Sequence, residues 1–371
     1  MGFKVKDKLE VTIYFNNKEY PLDIGNQLNE LHIAESTKTI LPTLYMSITD
    51  GAGTLIKSGL TDGTTIDISI VVEGSVLYEC HFILYTYSVK FNGSSYTYEI
   101  DAYYNSPKYW AGTLEAPLSG TSSGILQEIC RRCSLKYEGD KTNDSRSVYA
   151  LNRSYKAVTK YIANTTWGGG VKYYCVGITF DGKMIFKNVL EKVTKPTWVF
   201  SAFEFPDAKE DNGVIISSYY ITSLSGSLNS VGGYKTYKVI QSVVENPSVL
   251  KEVTFFKNTN NADVNLETRK TAGKNLIIFS PILTEPNSYH EKAKYYSQRA
   301  EKILSYEATF MTLNPTKVSL LDSISFFAKM QSGDSDPIAS GNYVISSRAI
   351  HILGNQYTET FTATRMGSNV R

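Results

Sequence analysis

Apolar and polar residues alternate with a period of two over much of this chain. Val11, Ile13 and Phe15 stand between polar neighbours, and Asn16-Asn17 follow as a turn. Leu44, Met46 and Ile48 repeat the pattern and stop at Asp50-Gly51. Thr64 to Ile70 alternates again after Asp62-Gly63. Short strands with closely spaced turn signals predict an antiparallel barrel or sandwich. After Trp110 the period changes. Ile125, Leu126, Ile129 and Cys133 share one helical face behind Ser122-Ser123-Gly124. Ser154 is placed to cap a second helix carrying Val158, Tyr161 and Ile162, with Gly168-Gly169-Gly170 as its stop. Lys172 to Phe180 and Lys183 to Asn188 predict a hairpin about Asp181-Gly182. Strand patterns resume at Val214-Ile215-Ile216. A third helix is expected from about Ser288 to Leu304, capped by Asn287, with Ala293, Tyr296, Ala300 and Ile303 on one face. Strands then follow at Tyr306 to Thr312 and Val318 to Phe326.

The chain also repeats itself. A shift of 261 positions lays Phe82 to Ala102 on Tyr343 to Ala363 without a gap. Phe82, Ile83 and Leu84 meet Tyr343, Val344 and Ile345, and Val89 and Phe91 meet Ile350 and Ile352. Asn92-Gly93 and Gly354-Asn355 tolerate the positive φ of tight hairpin turns. Two ordinary hairpins could resemble one another this much; the alternative is an internal duplication.

The 371 residues suit two or three domains. The expected division is a first β-barrel at 1–110, a mixed α/β domain at 111–205, and a second β-barrel at 206–240 and 302–371. The stretch 241–301 is an insertion. The fold class is therefore mainly β, with two similar antiparallel barrels and α+β insertions. With 42% hydrophobic and 20% charged residues the chain is globular. A formal charge of +2 gives no general attraction to nucleic acid or membrane. No signal-peptide pattern opens it, and the apolar run near Ile68 to Val89 is broken by Glu73, Gly74, Glu79 and His81. A soluble protein made in a cytoplasm, with reduced thiols, is the expectation.

Catalytic and metal chemistry find little support. Cys130-Arg131-Arg132-Cys133 has half the ligands of a structural zinc site, and no His accompanies it. The pair falls inside a helix rather than at its start, so core positions are expected. His32, His81, His290 and His351 are scattered, and structural roles are expected for them. Neither Gly51-Ala52-Gly53 nor Gly168-Gly169-Gly170 opens a helix after a strand, so neither is a phosphate loop. Glu204 and Asp207 cannot be placed opposite each other from sequence. Lys292, Lys294, Arg299 and Lys302 form a basic helical face without interleaved aromatic residues, as a solvated face would. No catalytic, cofactor-binding or metal residue is assigned, no cofactor is expected, and the chain is read as a non-enzyme.

Tyr343-Val344-Ile345, His351, Tyr357-Thr358 and Phe361 resemble the closing hairpin of central baseplate hub proteins of contractile-tailed phages. Late-control D proteins and the N-terminal part of type VI secretion spike proteins are relatives of that family. Tyr289 to Tyr306 followed by Leu313-Asn314-Pro315 resembles the hub's helix and its L-x-P-G approach to the last barrel, with Thr316 in place of the Gly. Leu60-Thr61-Asp62-Gly63 is the matching stretch in the first barrel, and Ile125 to Cys133, Tyr155 to Trp167 and the Asp181-Gly182 hairpin resemble the inserted domain.

The resemblance implies a structural protein: a homotrimer whose six barrels ring a channel, cap a six-fold tail tube and seat a three-fold central spike. Its implied partners are the spike, the tube protein and, beyond them, tape-measure and baseplate wedge proteins. DNA would only pass through the lumen, no membrane would be bound, and the chain would reside in the virion tail baseplate. Because no spike region follows Arg371, the spike is expected to be a separate polypeptide. A hub of a phage-like injection or type VI secretion particle, and a carbohydrate- or receptor-binding β-protein, are the alternative readings.

Overall fold

The computed structural model describes residues 9–365 apart from 17, 21–26, 58–59, 73, 150–151, 167–171, 203–211, 224–233, 241–250, 254–273, 280–303, 305, 330–332, 334, 337 and 355. In chain order the first part supplies β1 (Leu9–Phe15), β2 (Lys18–Tyr20), β3 (Leu28–Ser36), β4 (Thr43–Asp50), α1 (Thr54–Lys57), β5 (Thr65–Val72), β6 (Ser75–Phe91) and β7 (Tyr96–Tyr104). The middle supplies α2 (Pro107–Trp110), β8 (Leu118–Gly120), α3 (Ser122–Arg132), β9 (Lys136–Gly139), β10 (Arg146–Val148), α4 (Tyr155–Thr165), β11 (Tyr174–Ile178), β12 (Lys183–Asn188), α5 (Val189–Val193) and β13 (Trp198–Ser201). The last part supplies β14 (Gly213–Ile215), β15 (Ser218–Ser223), β16 (Tyr234–Ile240), β17 (Lys251–Val253), β18 (Lys274–Phe279), β19 (Tyr306–Thr312), β20 (Ser323–Phe327), β21 (Gly341–Leu353) and β22 (Gln356–Arg365).

The protein is mainly β, and one sheet of 14 strands runs through it. Its first half follows the path β3-β4-β7-β6-β5-β1, its second half β15-β19-β22-β21-β20-β13. The long strand β21 belongs to both. Gly341 to Val344 pair with β20, whereas Ser347 to Leu353 pair antiparallel with β3. The alternating residues read from sequence face inward: Val11, Ile13, Phe15, Leu44, Met46, Ile48, Ile66, Ile68 and Ile70 are all buried in the first core. A second core gathers Phe200, Phe310, Phe326, Tyr343 and Phe361, with Phe310 edge-on or tilted against the rings of Phe200, Phe326 and Tyr343.

The 261-position repeat is one of register as well as residues. Across β6 and β7, Ile83 opposes Tyr103, Leu84 opposes Ala102, and pairing then skips Tyr85 so that Thr86 opposes Asp101. Across β21 and β22, Val344 opposes Thr364, Ile345 opposes Ala363, and pairing skips Ser346 so that Ser347 opposes Thr362. The same bulge therefore falls at the same place in both hairpins. A bulge bends the strand and strengthens its twist, so it is a built feature of the shape. The outer neighbours agree too: Ile66 opposes Phe82 as Ile324 opposes Tyr343. The likeness ends at the last strand, since β1 runs antiparallel to β5 but β13 runs parallel to β20.

The middle part is mixed α and β, as its periodicity predicts. Ser154 accepts from the Ala157 N–H and caps α4, while Thr121, one residue before the expected start, caps α3 through the Gly124 N–H. Their apolar faces, with Val176, Met184 and Phe186 of the β11–β12 hairpin, form a separate core. Gly182 turns that hairpin at φ 72°, and a side chain there would strike Tyr104. Two strands depart from the expected division. β13, within the segment read as the mixed domain, pairs with β20 of the large sheet. β16, within the segment read as second barrel, pairs with β17 and β18 in a separate three-stranded sheet. A strand's own residues do not specify which distant edge it meets, which explains both. The expected third helix at 288–304 and its Asn287 cap fall almost wholly outside the described residues.

Candidate functional site

The repeated hairpins have the same shape and opposite surroundings. In the second, the core-facing side of β21 carries Arg348, Ile350 and Ile352, all buried, because β3 lies alongside and continues the sheet. In the first, the equivalent residues of β6 are Tyr87, Val89 and Phe91, and they are 38%, 45% and 59% exposed. They oppose Ile100, Tyr98 and Tyr96 of β7, so they lie on the sheet's core-facing side. Their covering is missing because β5 ends its pairing at Ile83, leaving the edge of β6 away from β7 without a strand beyond that point among the described residues. Among the described residues Phe91 meets one ring, Tyr96, tilted with centroids 4.9 Å apart, and bulge residue Tyr85 meets one, Tyr103, edge-on at 4.9 Å. The alternate residues Thr86, Ser88 and Lys90 are polar, as on any half-buried strand. An apolar, unpaired strand edge is a template for another strand.

A second open edge belongs to β15. One side pairs with β19, Tyr219 opposite Phe310 and Ile221 opposite Ala308. The other side has no strand among the described residues, and Tyr219 and Tyr220 are 38% and 69% exposed.

Where β21 crosses from one half to the other, a buried polar cluster joins all three parts of the chain. Arg348 donates from Nε to Glu359 Oε1 at 2.6 Å and from Nη2 to Thr316 O at 3.2 Å and to Tyr78 Oη. Tyr78 in turn donates to Thr316 O. Glu359 accepts from the Thr316 N–H, and Glu35, on β3, accepts from the Phe180 N–H of the middle hairpin at 2.9 Å. Arg348 Nη1 stands 3.9 Å from Glu35. The guanidinium also lies over the rings of Tyr78 and Phe180. Burial pushes the Glu35 carboxyl up to about 7, against the pull of Arg348 and the backbone N–H groups of Phe180 and Leu320. Burial also raises Glu359, with Arg348 opposing it. Thr316 thus serves the cluster through its backbone and through its hydroxyl, which also hydrogen-bonds Glu359, and its φ is not positive, so the expected Gly is not needed there. The sequence reading missed this cluster. Its signal is parity: Glu35 follows Leu31 and Ile33, and Arg348 precedes Ile350 and Ile352, each charge in line with buried residues.

The residues weighed earlier for chemistry are dispersed. Cys130 and Cys133 are buried in the middle core, Cys130 donating to Met184 Sδ at 3.5 Å. Burial, with the neighbouring Cys133, pushes the Cys130 thiol up to about 12; burial raises Cys133 to about 11 against Lys108 and Arg132. Thiols so held are poor ligands and nucleophiles. Replacing either by Ala or Ser is expected to cost about 1–3 kcal/mol of stability and nothing else; stoichiometric zinc by elemental analysis would contradict this. His32 and His351 face each other across β3 and β21, and His351 Nε2 meets Glu30 at 2.9 Å. His81 Nδ1 meets Asp67 at 2.7 Å. No cluster of metal-ligating residues occurs among the described residues, and no described helix is long and apolar enough to cross a membrane. His290, Glu204, Asp207, Lys292, Lys294, Arg299, Lys302 and Gly168 to Gly170 lie outside the described residues.

No protein-family model matches the sequence, and no curated protein is similar to it in sequence. Solved structures are similar in fold. The 43 kDa tail protein of prophage MuSo2 from Shewanella oneidensis has a TM-score of 0.62 at 10% identity, over 96% of this chain and 98% of that one. A tail protein from Neisseria meningitidis MC58 has 0.62 at 8%, over 96% and 97%. The c3393 protein of E. coli, a type VI secretion component described as similar to the T4 tail proteins gp27 and gp5, has 0.52 at 9%, over 96% of this chain and 77% of that one. Over nearly its whole length, then, this chain has the fold of phage tail proteins and of a type VI secretion component.

Proposed function

We propose that the protein is the structural hub of a phage tail baseplate. Three chains form a ring, each supplying two similar β-barrels, and the ring joins a six-fold tail tube to a three-fold central spike around part of the DNA channel. The observation that carries this reading is the repeated five-strand path, with one register and one bulge position, in a chain with a tail-protein fold. A six-fold tube cannot meet a three-fold spike unless one layer carries both symmetries. Two similar units per chain approximate six-fold symmetry on one face, while the middle domain, present once, keeps three-fold symmetry on the other. The partners are the tube and spike proteins, with tape-measure and wedge proteins around them; the protein is non-enzymatic and resides in the virion tail.

Light scattering of the purified protein is expected to give about 124 kDa, three times the 41.4 kDa chain, and electron microscopy to show rings with a central hole. A stable dimer would defeat the adaptor reading. A second reading, the base of a type VI or phage-like injection spike, is favoured by the fold likeness to the E. coli secretion component. It keeps the ring and changes the partners, so the tube and spike proteins that co-purify from the native source separate the two.

A further inference from the structure

We infer that the open edge of β6, from Tyr87 to Asn92, pairs antiparallel with the open edge of β15 in a second copy of this chain. The argument is the internal repeat itself. Within one chain the distal half of β21 already pairs with β3, Ile350 opposite Ile33 and Ile352 opposite Leu31. β6 is the equivalent of β21 and lacks that neighbour among the described residues. β15 is the equivalent of β3: Ile33 opposes Leu44, which opposes Ala102, as Ile221 opposes Ala308, which opposes Ala363. Ala102 and Ala363 are themselves matched by the 261-position shift. Carrying the β21–β3 register across places Val89 opposite Ile221 of the second copy, Phe91 opposite its Tyr219, Ser88 opposite its Thr222 and Lys90 opposite its Tyr220.

The side chains agree with this register without adjustment. Val89 and Phe91 face the core side of their sheet, and so do Ile221 and Tyr219, whose partners Ala308 and Phe310 are buried. Pairing would cover exposed Tyr87, Val89 and Phe91 with the aromatic rim of the second core, where Tyr219 already lies edge-on to Phe326 at 4.9 Å. A register one residue away would turn Ser88 and Lys90 inward. Each chain offers one edge of each kind, so the contact is head-to-tail and closes only as a ring. The joint rests on the proposed ring only for the number of copies.

Disulfide trapping tests it in the full-length chain. Residues directly opposite in a strand pair bring their Cβ atoms within about 4.5–5.5 Å, whereas diagonal pairs stand too far apart to bridge. The double variant Ser88→Cys/Thr222→Cys is expected to give reducible multimers on mild oxidation, ending at three chains. The diagonal variant Ser88→Cys/Tyr220→Cys is expected to give none. Val89→Lys, at an exposed position, should leave thermal unfolding of the separated chain unchanged while weakening assembly about tenfold or more. Trapping only in the diagonal variant would overturn the register. No trapping in a protein that light scattering shows to be a trimer would overturn the joint and leave the hub reading standing. A stable dimer trapped through Ser88→Cys/Thr222→Cys would keep the joint and defeat the ring. A chain that stays monomeric and untrapped at every concentration would overturn both.

Discussion

Replacing Arg348 with Met is expected to cost about 3–5 kcal/mol of stability, the largest effect of any single substitution proposed for this chain. Arg348 faces two buried carboxylates, Glu35 and Glu359, and it ties β21 to Glu359 on β22, to Tyr78 on β6 and to the Thr316 carbonyl. The Met side chain fills much the same volume, so the loss is not one of packing. It comes from leaving Glu359 without its counter-charge, with the hydroxyl of Tyr78 and the carbonyl of Thr316 each losing a donor. Urea unfolding of the purified variant measures it. Loss of less than about 1 kcal/mol would mean that water replaces the guanidinium, and that the cluster does not hold the halves together.

The second large effect is a dependence on pH that runs against the usual acid denaturation. Glu35 is fully buried, and its carboxyl is held up at about 7 by burial, which outweighs Arg348. Asp181 also disfavours its charge, while the Phe180 and Leu320 N–H groups favour it. The folded chain therefore keeps a proton that the unfolded chain releases near its ordinary value of 4.5. Stability from this group is fully present below 4.5 and is lost as pH rises to about 7; above 7 both states are ionised and the curve levels. The loss is roughly 3 kcal/mol, at about 1.4 kcal/mol per pH unit across that window. Glu35→Gln keeps an oxygen for the Phe180 N–H and carries no charge. It is expected to flatten the profile and to be the more stable protein at pH 8. Unfolding curves at pH 5, 6, 7 and 8 test this, and a variant that loses stability at pH 8 would show that the ionised Glu35 is what Arg348 requires.

Most of the local structure is legible in the sequence. The clean alternation at Val11 to Phe15, Leu44 to Ile48 and Thr64 to Ile70 can bury only one face of a strand, and each became a strand with that face inward. Helical spacing from Ile125 to Cys133 and the Ser154 cap placed α3 and α4. The repeat of the hairpin was also visible, because both copies preserve the order of apolar residues and turn. The cluster about Arg348 was less so: each of its charges lies in a different segment, and only parity within an apolar strand betrayed any of them.

What the sequence by itself determined is thus the period of each segment, which local backbone geometry and burial impose on residues close in the chain. The tertiary structure alone decided which strands pair. It sent β13 to β20 and β16 to a sheet apart, because pairing depends on edges brought together from distant parts of the chain. It also decided that one copy of a repeated hairpin is covered and the other is not. Val89 and Ile350 occupy the same place in the same pattern, and no local rule tells them apart. Only the presence of β3 beside Ile350, and the open edge beside Val89, separates a core residue from a surface that awaits one.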